Sequence, residues 1–176
     1  MIDQFWSPRV NQRDDEWGGS FENRMRFGME VLKAVREEVG RDFAVGMRIC
    51  GDEFHPDGLD HDEMKKIAKY YNDTGLLDFF GVVGSGCDTH NTLANVIPNM
   101  SYPPEPFLHL AAGIKAVVDV PVIHAQNIKD PNQAQRILEA GYVDLVGMTR
   151  AQIADPHLIA KIKMDQVDQI RQCVGA

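Results

Sequence analysis

The sequence is poor in cysteine, with three in 176 residues, at positions 50, 87 and 173, and no close pair among them. An odd, scattered set excludes a disulfide framework and fits a reducing, cytoplasmic setting. Basic residues are scarce beside acidic ones, 18 against 26, for a formal net charge of −8. With no basic excess or stripe, nucleic acid is not an expected partner. No apolar run approaches the roughly 18–20 residues that span a bilayer. The opening MIDQFWSPRV lacks the basic-then-apolar layout of a signal peptide, so no membrane is expected either. Repeats of fixed period, low-complexity tracts and a dividing linker are all missing. What is present, 44% hydrophobic and 25% charged residues, is close to the globular average and sufficient for one core. Both ends are abrupt: an apolar, aromatic stretch follows Met1 at once, and the chain stops at Cys173-Val174-Gly175-Ala176. Residues 1–176 are therefore expected to be a single partial domain, truncated at both ends.

Four short β-branched or aromatic runs, Phe43 to Ile49, Leu77 to Val83, Val120 to His124 and Val143 to Met148, suit strands buried in a parallel sheet. Helical patterns alternate with them. The first starts near Ser20 and ends before Gly40, with Phe27, Val31, Leu32, Val35 and Val39 on one face. The second opens at Asp60-His61-Asp62-Glu63, where Asp60 caps and Met64, Ile67, Ala68 and Tyr71 form the stripe. A third runs from Pro106 to Val118. The last two start at Asp130-Pro131 and Asp155-Pro156, with Asp at the cap and Pro in the first helical position. Strict alternation implies parallel pairing with right-handed crossovers. Four strands are half of a (β/α)8 barrel, so the choice lies between half a barrel and a small open sheet.

Ligands of such folds bind where the strands end. Those ends carry Arg48 with Cys50, then Gly84-Ser85-Gly86-Cys87-Asp88, then His124-Ala125-Gln126-Asn127, then Gly147-Met148-Thr149-Arg150. Two arginines among small and amide residues suit an anionic ligand rich in hydrogen-bond acceptors, such as a phosphorylated cofactor. Each residue has a plainer reading. Arg48 serves either as an anion ligand or as a structural ion pair, Arg150 as a phosphate ligand or an ordinary surface residue, and His124 as a hydrogen-bonded rim residue. Gly84-Ser85-Gly86 lacks the third glycine of a dinucleotide fingerprint and reads as a turn. The group His55, Asp57, Asp60, His61, Asp62 and Glu63 is explained by capping and by the Pro56-Asp57-Gly58 turn better than by a metal.

The run Asn11-Gln12-Arg13-Asp14-Asp15-Glu16-Trp17-Gly18-Gly19-Ser20-Phe21-Glu22-Asn23-Arg24-Met25-Arg26-Phe27 resembles the N-x-R-x-D-x-[YW]-G-G-S-x-E-N-R-x-R-F block of the Old Yellow Enzyme family of flavin-dependent oxidoreductases. Ile2-Asp3-Gln4-Phe5 resembles the end of the segment that precedes this block. Gly147-Met148-Thr149-Arg150 with Ile153-Ala154-Asp155-Pro156 resembles the last-strand signature, G-x-x-R followed by I-A-D-P. The likeness runs the length of the chain and is nearest the branch of trimethylamine dehydrogenase, 2,4-dienoyl-CoA reductase and the N-methyl amino-acid demethylases. The block itself reads as architecture, with Gly18-Gly19 turning the chain, Ser20 capping, and Glu22, Arg24 and Arg26 forming ion pairs.

The resemblance implies an α/β fold: a partial TIM (β/α)8 barrel, strands five to eight with their helices, holding FMN over the strand ends. It implies hydride transfer between the flavin and a small-molecule substrate, an N-methylated amine or an activated alkene. Tyr102-Pro103-Pro104 and the run from Phe107 to Ile114 resemble the amine branch. Arg48 matches the arginine near the flavin N1 side, where its charge favours the reduced, anionic form. Thr149, through its N–H, and Arg150 match the phosphate site beside Gly147, and Ala125, Gln126 and Asn127 occupy the other phosphate loop. There the family often has glycine where this chain has Gln126. Cys173-Val174-Gly175 resembles the start of a cluster-binding run, so that Cys173 would be the first ligand of a 4Fe-4S cluster in the longer protein. The substrate-binding pair and the tyrosine proton donor of the family would precede Met1. The isolated chain is thus expected to be inactive and, with open strand edges, a possible homo-oligomer. The rival readings are a non-enzymatic α/β domain that binds a phosphate-bearing ligand or a partner, and an inactive gene fragment.

Overall fold

The computed structural model describes residues 1–86 and 89–175. Cys87 and Asp88, named above at a strand end, and Ala176 lie outside the described residues. In chain order the elements are α1 (Asp3–Trp6), α2 (Phe21–Val39), β1 (Gly46–Cys50), α3 (His61–Asn72), β2 (Phe79–Val83), α4 (His90–Val96), α5 (Leu108–Lys115), β3 (Val122–His124), α6 (Pro131–Glu139), β4 (Leu145–Val146), α7 (Thr149–Ala154) and α8 (Leu158–Lys163), followed by a 3-10 turn at Val167–Gln169. The strands form one parallel sheet in the order β1-β2-β3-β4, the sequential arrangement of half a (β/α)8 barrel.

Period-2 alternation sorts the sheet into two faces. Met47, Ile49, Phe80, Val82, Val122 and His124 are buried, whereas Gly46 and Arg48 are exposed and Phe79, Gly81, Val83 and Ile123 half-buried. Helices thus cover one face, and the other is the inner face of the half-barrel. Across it the register aligns Arg48, Gly81, Ile123 and Leu145 in one row. Large and small residues interlock there: a Cβ on Gly46 would lie 2.2 Å from the Phe79 ring, and one on Gly81 would meet Arg48 Cγ at 4.0 Å. The sequence reading of these runs as strands buried in the sheet therefore needs correction at Gly46, Arg48 and Gly81, which face the open side. The last strand is also shorter than its apolar run, a two-residue ladder flanked by Asp144 N–H donating to Val122 O and Gly147 N–H to His124 O.

Three helix starts follow the capping chemistry. Ser20, Asp60 and Asp130 accept N–H bonds from Asn23, Glu63 and Asn132, and Pro131 opens α6. The α2 stripe differs from its apolar pattern. The buried positions are Met25, Gly28, Leu32 and Arg36, whereas Val35 and Val39 are exposed. The reason is polar. Arg36 donates to the carbonyls of Leu76, Gly40 and Phe43 and pairs with Asp78 at 2.6 Å, tying the end of α2 to the entries of β1 and β2. Asp78 also accepts Val45 N–H. The arginine partners hold both Asp78 and the turn between α2 and β1 in place.

The glycine-rich block is architecture, though not through the ion pairs expected of it. Arg24 donates to Trp6 O and Gly19 O, Arg26 to Glu16 O, and Asn11 to Phe5 O and Trp17 O. These bonds satisfy the carbonyls of an irregular segment that has no ladder of its own. Trp6 Nε1 donates to Tyr71 Oη, which donates to Met25 O, so α1, α2 and α3 share one buried chain of bonds.

Asp155 departs from its expected capping role. Helix α8 starts only at Leu158, with His157 at the cap. The Asp155 carboxylate instead accepts Lys161 Nζ at 2.5 Å and the N–H groups of Arg171 and His157. These three hold its carboxyl down at about 2. A depressed carboxylate stabilises the fold above its unfolded value of about 3.9 and ceases to do so as pH falls through about 2. Asp155→Asn should therefore lower the melting temperature at neutral pH and flatten its dependence on pH between about 4 and 2. Superimposable profiles of melting temperature against pH for the two proteins would refute this.

Candidate functional site

All four strands end on one rim, and the rim residues divide into those that face the open side and those spent on holding the loops. Arg48 belongs to the first group. It is exposed on the inner face and has no hydrogen bond or ion pair among the described residues. Its stem lies across Gly81, which leaves it room. A cavity of about 660 Å³ lies along the free edge of β1. Arg48, Ser85, Gly86 and Val96 line it, as do Val31 and Val35, the part of the α2 stripe that finds no core. Of the two readings of Arg48, the structural ion pair is excluded among the described residues.

Ala125 and Gly147 stand side by side where β3 and β4 end. A Cβ on Gly147 would lie 2.7 Å from Ala125 Cβ, so only glycine keeps the two strand ends this close. Thr149, exposed, follows as the first residue of α7, which no side chain caps. Arg150 is half-buried, and its Nη2 donates to Pro98 O at 2.6 Å and Nη1 to Gly175 O at 3.4 Å. Two of the five donors of its guanidinium are thus directed at carbonyls.

Gln126 and Asn127 belong to the second group. Both are buried, and both point into the connection between β2 and α5 rather than out of the rim. Gln126 Nε2 donates to Asn95 O at 2.6 Å and Val96 O at 2.8 Å. Asn127, at φ 55°, donates to Pro103 O at 3.0 Å. Their Oε1 and Oδ1 atoms have no partner. Arg150 and these two amides therefore hold the same segment, 95–103.

His124 is not the rim residue expected. It lies on the helix-covered face, fully buried, with Nδ1 bonded to Val82 O and Nε2 without a partner. Burial lowers its pKa and favours the neutral ring. Burial likewise pushes the Cys50 thiol up to about 12, which removes it as a nucleophile at neutral pH. Cys173 is half-buried, and its Sγ accepts Gly175 N–H at 3.4 Å. Among the described residues no three His, Cys, Asp or Glu side chains converge as a metal site. Of the suspected acidic cluster, Asp60 caps α3 and His61 Nδ1 bonds Gly51 O. The sequence reading passed over Gly46, Gly81 and the loop-bracing Gln133, whose Nε2 donates to Asn127 O. An isolated glycine inside an apolar strand was the available signal for Gly81.

Four parallel strands in chain order, with all their C-terminal ends on one rim, define a partial (β/α)8 barrel. The comparisons give its family. Residues 1–169 match the model of the NADH:flavin oxidoreductase / NADH oxidase family, and the chain belongs to that family. It is 85% identical, over all of its length and 25% of the relative's, to the N,N-dimethylglycine/sarcosine dehydrogenase of Chromohalobacter salexigens. It is 42% identical, over 100% of the chain and 26% of the relative, to a probable N-methylproline demethylase of Rhizobium meliloti. Among solved structures it matches 2-naphthoyl-CoA reductase with a TM-score of 0.89 and 32% identity, over 99% of this chain and 26% of that one. The chain spans about a quarter of the length of the curated relatives it matches.

The close fit at Gly147 makes a specific test. Gly147→Ala should cost about 1–3 kcal/mol through overpacking against Ala125. Ala125→Gly in the same chain should restore most of it, since the next atom, Ala125 Cα, is 3.6 Å away. Equal melting temperatures for the single and double variants would overturn the steric account.

Proposed function

We propose that this chain is the cofactor-holding C-terminal half of the barrel of an FMN-dependent oxidoreductase that oxidises N-methylated amino acids. The observation that carries this reading is the free guanidinium of Arg48 on the inner face of a chain so similar to a dimethylglycine and sarcosine dehydrogenase. Reduction of an activated alkene, the activity named for a 43% identical alkene reductase/demethylase of Caballeronia cordobensis, is the second activity of the same reading.

The residues present fit the cofactor. Gly147 carries no Cβ and Ala125 only a methyl, and residues this small at the two strand ends let a phosphate approach the backbone. Arg150 and the Thr149 N–H would hold that phosphate, with the backbone of Ala125, Gln126 and Asn127 on the other side. FMN, when bound, supplies the hydride acceptor and donor. Arg48 contributes a fixed positive charge where negative charge develops on reduction. Cys173 is a single thiol, and by itself it does not hold a 4Fe-4S cluster. A cytoplasmic location is part of the proposal; no helix among the described residues is long and apolar enough to cross a membrane. The unpaired edges of β1 and β4 make self-association of the isolated chain part of the proposal.

In the longer protein that carries this chain, anaerobic addition of N,N-dimethylglycine should bleach the flavin band. A band left unbleached by N,N-dimethylglycine, sarcosine and an activated alkene alike sinks the reading. Arg48→Ala should lower the flavin reduction potential, because a cation that favours the reduced form is removed. An unchanged or raised potential in a redox titration would remove Arg48 from the cofactor.

A further inference from the structure

Lys129 stands in the connection between β3 and α6, two residues beyond Asn127. Among the described residues it is the one half-buried lysine or arginine whose side chain has no hydrogen bond or ion pair. The backbone around it is fixed. Its N–H donates to Gln133 Oε1 at 3.0 Å, and Gln133 Nε2 donates back to Asn127 O at 3.1 Å. Asp130, next in the chain, is engaged as the cap of α6. The lysine stem runs to the segment that follows the 3-10 turn: a Cβ on Gly175 would lie 3.1 Å from Lys129 Nζ and 3.7 Å from its Cδ. Gly175 is buried and has φ 78°. On the same residue, Arg150 Nη1 meets the carbonyl at 3.4 Å. Lys129 and Arg150 therefore converge on one glycine from the ends of β3 and β4, and neither pairs with a carboxylate among the described residues. Two like charges on one residue repel, and partial burial weakens the screening by water. An anion between them removes the repulsion, and a phosphate monoester, close to a dianion at neutral pH, matches both charges.

We propose that Lys129 is a second cation of the FMN phosphate site: its Nζ and the Arg150 guanidinium take the phosphate between them, on the side of the site nearest Gly175. The inference rests on the proposed cofactor and adds a residue to its site. The two cations differ in kind. Arg150 is a planar fork aimed by the carbonyls of Pro98 and Gly175, whereas Lys129 is a point charge on a flexible stem, which needs no fixed partner to reach an anion.

The test is flavin affinity in the full-length enzyme stripped of its cofactor, titrated with FMN and with riboflavin, which has the same ring system and no phosphate. Lys129→Met keeps a stem over Gly175 and removes the charge, and Lys129→Gln removes it with a polar end. Each should weaken FMN binding about tenfold and leave riboflavin binding within about twofold of the wild type. Lys129→Arg should bring FMN affinity back to within about threefold. Added salt should weaken FMN binding to the wild type more than to Lys129→Met, because the attraction of a partly exposed charge is screened. Unchanged FMN affinity in both neutral variants would overturn the proposal. So would an equal loss for the two flavins, which would make Lys129 a brace for the segment around Gly175. A wild type that binds FMN no more tightly than riboflavin would overturn the phosphate site as a whole, Arg150 included. One that binds neither flavin would overturn the cofactor reading itself.

Discussion

Parallel pairing in chain order is the constraint from which the rest follows. It sends every strand the same way, so that all four C-terminal ends meet on one rim. It also fixes the register, and with it the row Arg48, Gly81, Ile123 and Leu145 on the inner face. A slip of one residue would turn Arg48 into the helix-covered core and bring Ile49 out. The interlock of Gly46 with Phe79, and of Arg48 with Gly81, opposes such a slip, because each large side chain occupies the space that its glycine neighbour leaves free.

The rim is held by polar side chains bonded to backbone carbonyls, and that bears on what it can do. Irregular segments carry carbonyls with no ladder to join, and a buried one must find a donor. Here Arg24, Arg26 and Asn11 serve the segment before α2, Arg36 serves the opposite end of the sheet, and Gln126, Asn127 and Arg150 serve residues 95–103. Arg48 differs from these arginines in having no carbonyl or carboxylate to serve. An arginine with no such carbonyl or carboxylate keeps its whole donor fork for an anionic ligand.

The four-strand unit resembles a quarter-length stretch of much longer relatives, and its surface shows where it is incomplete. The cavity along β1 is bounded by the unpaired strand edge and by Val31 and Val35, apolar residues that in a closed barrel would meet a neighbouring strand and helix. The same incompleteness leaves Leu145 exposed at the other edge.

Composition and spacing determined the element order, the parallel class, and the caps at Ser20, Asp60 and Asp130, because capping and periodicity are local. The motif residues, read as a resemblance, gave the family. The tertiary structure alone decided which face of α2 is buried, since Arg36 finds carbonyls on β1 and β2 entries distant in sequence. It turned His124 away from the rim, since strand register and not residue type decides which way a side chain points. It moved Asp155 from a cap to a hub, because Arg171 returns to meet it. And it separated Arg48 from Gln126 and Asn127, polar rim residues alike in sequence, because only folding brings the Asn95, Val96 and Pro103 carbonyls within reach of the amides and leaves the guanidinium free.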